Sequence, residues 1–178
     1  MQIRKSDPLL DAAKVLSVII QIIIVLAMVG IGLAIGVMST IGRDRLIAEL
    51  AKLGAPENAV WIAPLFLILT MVMLGLAHRF FKTLDGIIDT VRRGDPFRSD
   101  NADRLVQMGW LSVAAQVLGL VLGWFSARAE PYIEKAGHSA DLGFGFDITG
   151  VLLTLTLFIL ARVFRLGAAM RDELEGTV

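Results

Sequence analysis

VLSVIIQIIIVLAMVGIGLAIGVM, Val15 to Met38, runs for twenty-four residues with no charge and one amide, Gln21. A hydrocarbon core about 30 Å thick needs roughly 20 helical residues, so this run is long enough to cross one. The apolar part of a signal peptide spans only about 7–15 residues before a small-residue cleavage site. This run is longer and has no convincing cleavage site, so it is expected to stay as a helix. Working outward, three more runs follow: AVWIAPLFLILTMVMLGLA from Ala59, LVQMGWLSVAAQVLGLVLGWF from Leu105, and FGFDITGVLLTLTLFILARVF from Phe144. Pro64 falls in the first two turns of the second run, where its missing N–H costs least. Asp147 and Arg162 sit near the ends of the fourth, where long side chains reach the interface. None of the runs alternates as a barrel strand would, and lipid leaves helices as the other solution for the backbone. The predicted class is therefore all-α: a polytopic membrane protein with four transmembrane helices. The spans cover about 15–38, 59–79, 105–125 and 144–165 of a single membrane domain, 1–178.

Composition agrees. The chain has 178 residues, 56% of them hydrophobic, and a mean hydropathy of +0.71. The apolar residues are blocked into runs rather than dispersed as in a soluble domain. Seventeen basic and seventeen acidic residues cancel, which argues against direct nucleic-acid binding through a broad basic surface. With no cysteine, disulfides, thiolate metal sites and cysteine nucleophiles are excluded.

The basic residues are unevenly placed. The N-terminal segment, the loop between the second and third spans and the tail together carry twelve, among them Arg4, Lys5, Lys14, Arg79, Lys82 and Arg165; the other two loops carry five. Positive-inside bias then puts both termini and residues 80–104 on the cytoplasmic side of the membrane. Trp61, Trp110 and Trp124 lie near span ends, as an aromatic belt requires.

The cytoplasmic loop has internal order. Phe81, Leu84, Ile87, Ile88 and Val91 recur at helical spacing. Lys82, Asp85, Asp89, Arg92 and Arg93 fall largely on the other face. The second helix is thus predicted to continue as a stalk. Gly94 ends it as a C′ residue, and Asp95-Pro96 turns the chain. Ser99, Asp100 or Asn101 caps the next helix. Phe97 either tucks under the helices, the expected placement for a loop aromatic, or meets a partner. Across the membrane, Leu46, Ile47, Leu50 and Leu53 predict a short interfacial helix over 43–54. GAPEN then reverses the chain, and SARAEPYIEKAGHSADLG reads as a loose loop.

GIGLAIG, Gly30 to Gly36, lacks the G-x-G-x-x-G spacing and any preceding strand. Gly30, Gly32 and Gly36 are instead read as a helix-packing face. His78 and His138 have no metal-motif neighbours, so no metal or other cofactor is expected. Gln21 and Gln116 each need a hydrogen bond, most simply to another helix. Ser17, Ser112, Thr70, Thr149, Thr154 and Thr156 have no base that can be placed beside them, so no enzyme is expected. Val163, Leu166, Ala169 or Met170, and Leu174 extend the fourth helix as an apolar stripe with a charged rim, Arg171 to Glu173 and Glu175.

RRGDPFRSDNADRLVQMGW resembles the signature of a bacterial four-helix membrane family catalogued as domain of unknown function 2975. The positions that carry the likeness are Gly94, Pro96, Phe97, Asn101, Arg104, Leu105 and Gly109. The tail is similar to the family's ending through Phe164, Arg165, Gly167, Asp172, Glu173, Thr177 and Val178. Gly176 stands where an apolar residue is usual. The family has no assigned reaction, and its members are often encoded beside a small helix-turn-helix regulator. The resemblance therefore implies a membrane partner or sensor for a cytosolic DNA-binding regulator. The expected contact surface is the cytoplasmic elbow together with the tail, with Arg92, Arg93, Gly94, Pro96, Phe97, Asn101 and Arg104 as its elbow residues. The alternative is a small oligomeric transporter or pore in which Gln21, Gln116 and the Gly30–Gly36 face line contacts. Contact with membrane lipids is expected in either case, and homo-oligomerisation is open.

Overall fold

A computed structural model describes residues 8–40, 42–54, 59–135, 143, 145 and 147–175. It holds five helices in the order α1 (Pro8–Thr40), α2 (Arg43–Lys52), α3 (Ala59–Arg92), α4 (Ser99–Lys135) and α5 (Ile148–Glu175), with no strand among the described residues. All but α2 are long and apolar enough to cross a membrane. The protein is an all-helical, multi-pass membrane protein. GAPEN from Ala55, His138, Phe144 and the closing Gly176-Thr177-Val178 lie outside the described residues.

Two boundaries depart from the sequence reading. α1 begins at Pro8, seven residues before its apolar run, with Pro where the first-turn N–H needs no partner. α4 continues to Lys135, so the expected loose loop is helical through its first ten residues. Ser126 to Glu130 lacks an apolar period, yet Ala127, Arg128, Ala129 and Glu130 are strong helix formers. Pro131 removes one hydrogen bond close to the helix end, where α4 absorbs the loss.

The helices divide into two compact units. The first comprises residues up to Ile24, Ala77–Ala114 and Ile148–Val178. Its core is Leu105 and Met108 of α4 against Leu157 and Ala161 of α5, with Phe80, Leu84, Ile87, Val106 and Phe164 packed on it. Leu84 and Ile87 therefore turn inward, as the stalk periodicity predicts. Ser112 and Thr154, both buried, share a hydrogen bond of 2.9 Å between α4 and α5. Such a pair joins helices where the apolar residues have no preference between protein and lipid.

The second unit comprises Val25–Leu76 and Ala115–Asp147. Leu122 is fully buried there, and Gly32 lies 3.6 Å (from an ideal Cβ) from Met71. Among the described residues a Cβ at Gly30 or Gly36 would meet nothing within 4 Å, so of the three predicted packing glycines Gly32 is the one placed against another helix. α2 forms as predicted, with Ile47 exposed and Leu50 and Leu53 half-buried. Arg128 stacks over Trp124 at 4.5 Å and Arg43 over Trp61 at 5.4 Å. Outside both units the surface is apolar: Leu26, Leu33, Ile159 and Leu160 are exposed. In water that surface would be costly at about 25 cal/mol per Å²; lipid tails cover it at no such cost.

Gly109 faces the Phe158 ring so closely that a Cβ would lie 2.9 Å from it. Gly109→Ala is expected to destabilise the protein by about 1–3 kcal/mol through overpacking, read as a lower thermal midpoint in detergent. In a Phe158→Ala background the same substitution should cost nothing. An equal loss in both backgrounds would assign the effect to something other than this contact.

Candidate functional site: the helix elbow

The elbow is built by the backbone first. At the end of α3, Gly94 takes φ +82°, a left-handed conformation that glycine adopts without a Cβ clash. Its N–H donates to the Val91 carbonyl at 2.9 Å, and Asp95 N–H donates to the Thr90 carbonyl at 3.1 Å. This is the Schellman pattern, and it satisfies two of the carbonyls that a helix end leaves open. Pro96 and Phe97 complete the turn, and α4 begins at Ser99.

Asn101 does not cap α4. It sits in the first turn, fully buried, and its amide turns back into the elbow. Nδ2 donates to the Pro96 carbonyl at 2.8 Å and to Thr90 Oγ1 at 2.7 Å. Thr90, only 1% exposed, passes its own proton to the Ile87 carbonyl at 2.7 Å. Oδ1 of Asn101 accepts from Arg104 Nη1 at 2.9 Å. That nitrogen also donates to the Gly86 carbonyl at 3.1 Å. Both N–H groups and the carbonyl of the buried amide are thereby used, which is the condition for burying it without penalty. The guanidinium lies on Gly86: a Cβ there would meet Arg104 Nε at 3.0 Å. The network thus joins α3, the turn and α4 through Gly86, Thr90, Pro96, Asn101 and Arg104.

Phe97 tucks, as expected. Its ring packs on Phe164 of α5 with centroids 5.5 Å apart. It also occupies the space over Gly167, where a Cβ would lie 2.7 Å from Cδ1. About half of the residue remains exposed. The outer rim of the elbow carries ion pairs: Arg98–Asp100 at 2.9 Å, Arg165–Asp103 at 3.0 Å, and Arg171–Asp95. Exposed pairs of this kind contribute about 0–1 kcal/mol each.

The remaining predicted residues divide. Arg92 pairs with Asp11 of α1, and Arg93 Nε donates to the Asp89 carbonyl at 3.1 Å; both stay exposed. The polar face of the stalk forms a seam with α1. Lys14 Nζ lies 3.1 Å from Asp89 and 3.7 Å from Asp85, and Gln21 Nε2 donates to Asp85 Oδ2 at 2.6 Å, beside buried Ser17. The partner that Gln21 needs is therefore on α3. The signal was present in the sequence: Asp11, Lys14, Ser17 and Gln21 recur at steps of three and four, one face of a helix that starts before the apolar run. Among the described residues, no three His, Asp or Glu side chains gather as a metal site. Among those residues, too, His78 Nδ1 is buried without a hydrogen-bond partner.

Residues 40–178 match the model of a family described as protein of unknown function (DUF2975). The chain belongs to that family. No curated protein and no solved structure matches it. The matched residues contain the whole elbow, the α5 end and the α3 side of the polar seam; Asp11 to Gln21 precede them. In this DUF2975 chain, the motif positions Gly94, Pro96, Asn101 and Arg104 are the ones that lock the elbow internally. The tail motif supplies Phe164 and Gly167, which receive Phe97.

Asn101→Ala removes the acceptor of Arg104 and the donor to Pro96 and Thr90. The expected loss is about 1–3 kcal/mol, the range for leaving buried polar groups unpaired, measured by thermal unfolding in detergent. Arg98→Ala on the rim should change stability by no more than about 0.5 kcal/mol. Equal effects would show that the buried network is not what holds the elbow.

Proposed function

We propose that this protein is a bacterial inner-membrane partner, without catalytic activity, for a cytosolic helix-turn-helix regulator. Both termini and the elbow face the cytoplasm, and the regulator docks on the elbow and the end of α5. The observation that carries this reading is the division of labour at the elbow. Asn101, Arg104, Gly94 and Pro96 are spent internally, which fixes the outward groups in place. Those groups are Arg92, Arg93, the free edge of Phe97, and the exposed Leu166, Met170 and Leu174 of α5. Around them stand Arg98, Asp103, Arg165, Arg171 and Asp172. Apolar anchors within a rim of both charge signs suit a protein surface better than a phosphate backbone. The motif resemblance supplies the kind of partner, and the positive-inside bias supplies the side of the membrane.

Orientation is tested first. The chain has no cysteine, so Ser99→Cys gives a single reporter. It should resist a membrane-impermeant maleimide in intact cells and react once the cells are permeabilised. Labelling in intact cells would place the elbow outside and end the proposal. Crosslinked pull-downs from native membranes then compare wild type with two variants, Arg92→Glu/Arg93→Glu and Met170→Glu/Leu174→Glu, each checked for normal insertion. Arg104 is left unchanged because its loss would break the elbow itself. Recovery of a small DNA-binding protein with wild type, lost in either variant, supports the reading. No such protein in any sample, or equal recovery in all three, overturns it.

A further inference from the structure

At the far end of α1 the second unit contains a cavity of about 420 Å³, bounded by the last turn of α1, the first residue of α2 and the first three turns of α3. The volume lies within the roughly 300–1,000 Å³ usual for a ligand site. Its floor is apolar, formed by Pro64, Leu65 and Ile68 of α3. Leu65 and Ile68 are also exposed on a helix that crosses the membrane, so the floor continues into surface that lipid covers. Among the described residues that line it there is one cation, Arg43, and no carboxylate. Among the described residues Arg43 forms no ion pair. Its guanidinium is held over Trp61, which fixes the group while leaving its N–H edge available.

Ser39 and Val60 also line the cavity. Ser39 gives its proton to the Ile35 carbonyl at 2.7 Å and keeps its lone pairs. The Val60 carbonyl lacks its helical donor four residues on, because Pro64 has no N–H. The site therefore offers one strong donor to an anion, acceptors for a hydroxyl, and an apolar trough leading into the membrane. We infer that this cavity binds one anionic phospholipid with a hydroxylated headgroup, its phosphate on Arg43, its hydroxyl at Ser39 and Val60, and an acyl chain along Pro64, Leu65 and Ile68. Arg matches a phosphate in fork geometry, and such a lipid is the membrane component that carries all three features.

The test uses the three tryptophans. Trp110→Phe/Trp124→Phe leaves Trp61 as the only reporter. The full chain is placed in phosphatidylcholine nanodiscs containing a minor fraction of brominated phosphatidylglycerol or, in the second arm, brominated phosphatidylcholine. One charge-assisted contact predicts about fivefold enrichment of the anionic lipid beside Trp61, read as stronger quenching. Arg43→Gln should abolish the preference. Ile68→Phe, which fills the trough and leaves the charge, should also abolish it, and it covers the case in which Arg43→Gln perturbs α2. Equal quenching by the two lipids overturns the inference, as does a preference that survives both substitutions. Exclusion of both lipids with a Trp61-to-Trp61 contact between chains also overturns it, by giving the cavity to a second copy.

Discussion

Arg104 presents the problem that the first unit is arranged to solve. It is a permanent cation one residue before the buried Leu105, at the point where α4 turns from polar to apolar. A charge at such a place must keep its hydrogen bonds or it drags its helix toward water. Here it lies on the bare backbone of Gly86 and donates to the Gly86 carbonyl and the Asn101 amide. Asn101 in turn reaches Pro96 and Thr90, so one solvation requirement fixes the end of α3, the turn and the start of α4 together. The Schellman bonds at Gly94 hold the same turn from the backbone side. Phe97 and Phe164 then attach α5 to it. Without the guanidinium, the Gly86 carbonyl and the Asn101 amide oxygen would each lose a donor at the heart of the elbow.

The rest of the first unit follows the logic of a protein whose solvent is lipid. Its apolar core is small, and most large apolar side chains point outward. What specifies helix partners is polar: Ser112 with Thr154 between α4 and α5, and the seam of Asp11, Lys14 and Gln21 with Arg92, Asp89 and Asp85 between α1 and α3. The seam also sets the antiparallel register of these helices, since Asp11 meets Arg92 near one end and Gln21 meets Asp85 nearer the other. Apolar contacts in lipid could slide; these pairs cannot slide without losing partners.

Much of this was legible in the residues. Four spans were visible from run length, the short α2 from its stripe, and the Gly94 stop from the special backbone it provides. The stalk was legible because Leu84, Ile87 and Ile88 share a face. What periodicity could not give was the identity of what meets each face. Asp85 and Asp89 show only as a polar face, because their partners Gln21 and Lys14 are over sixty residues away in sequence. Asn101 looked like a cap because capping is the local use of such a residue; its real use is with Thr90 and Pro96, set by the turn. Arg104 and Asn101 looked like outward contact residues because they are polar and motif-bound, yet they face inward. The helical stretch after Ser126 was missed because it is carried by propensity, without an amphipathic pattern. The Arg43 cavity depends on how three helix ends converge, which sequence spacing does not encode.

The contact between Phe97 and α5 also has an order in time. The elbow is complete in sequence by Leu105, but Leu157, Ala161, Phe164 and Gly167 leave the ribosome some fifty to sixty residues later. Until then α3 and α4 carry a half-built core, with Phe97 and Met108 uncovered at the membrane surface. Insertion of the last helix is therefore the step that closes the first unit.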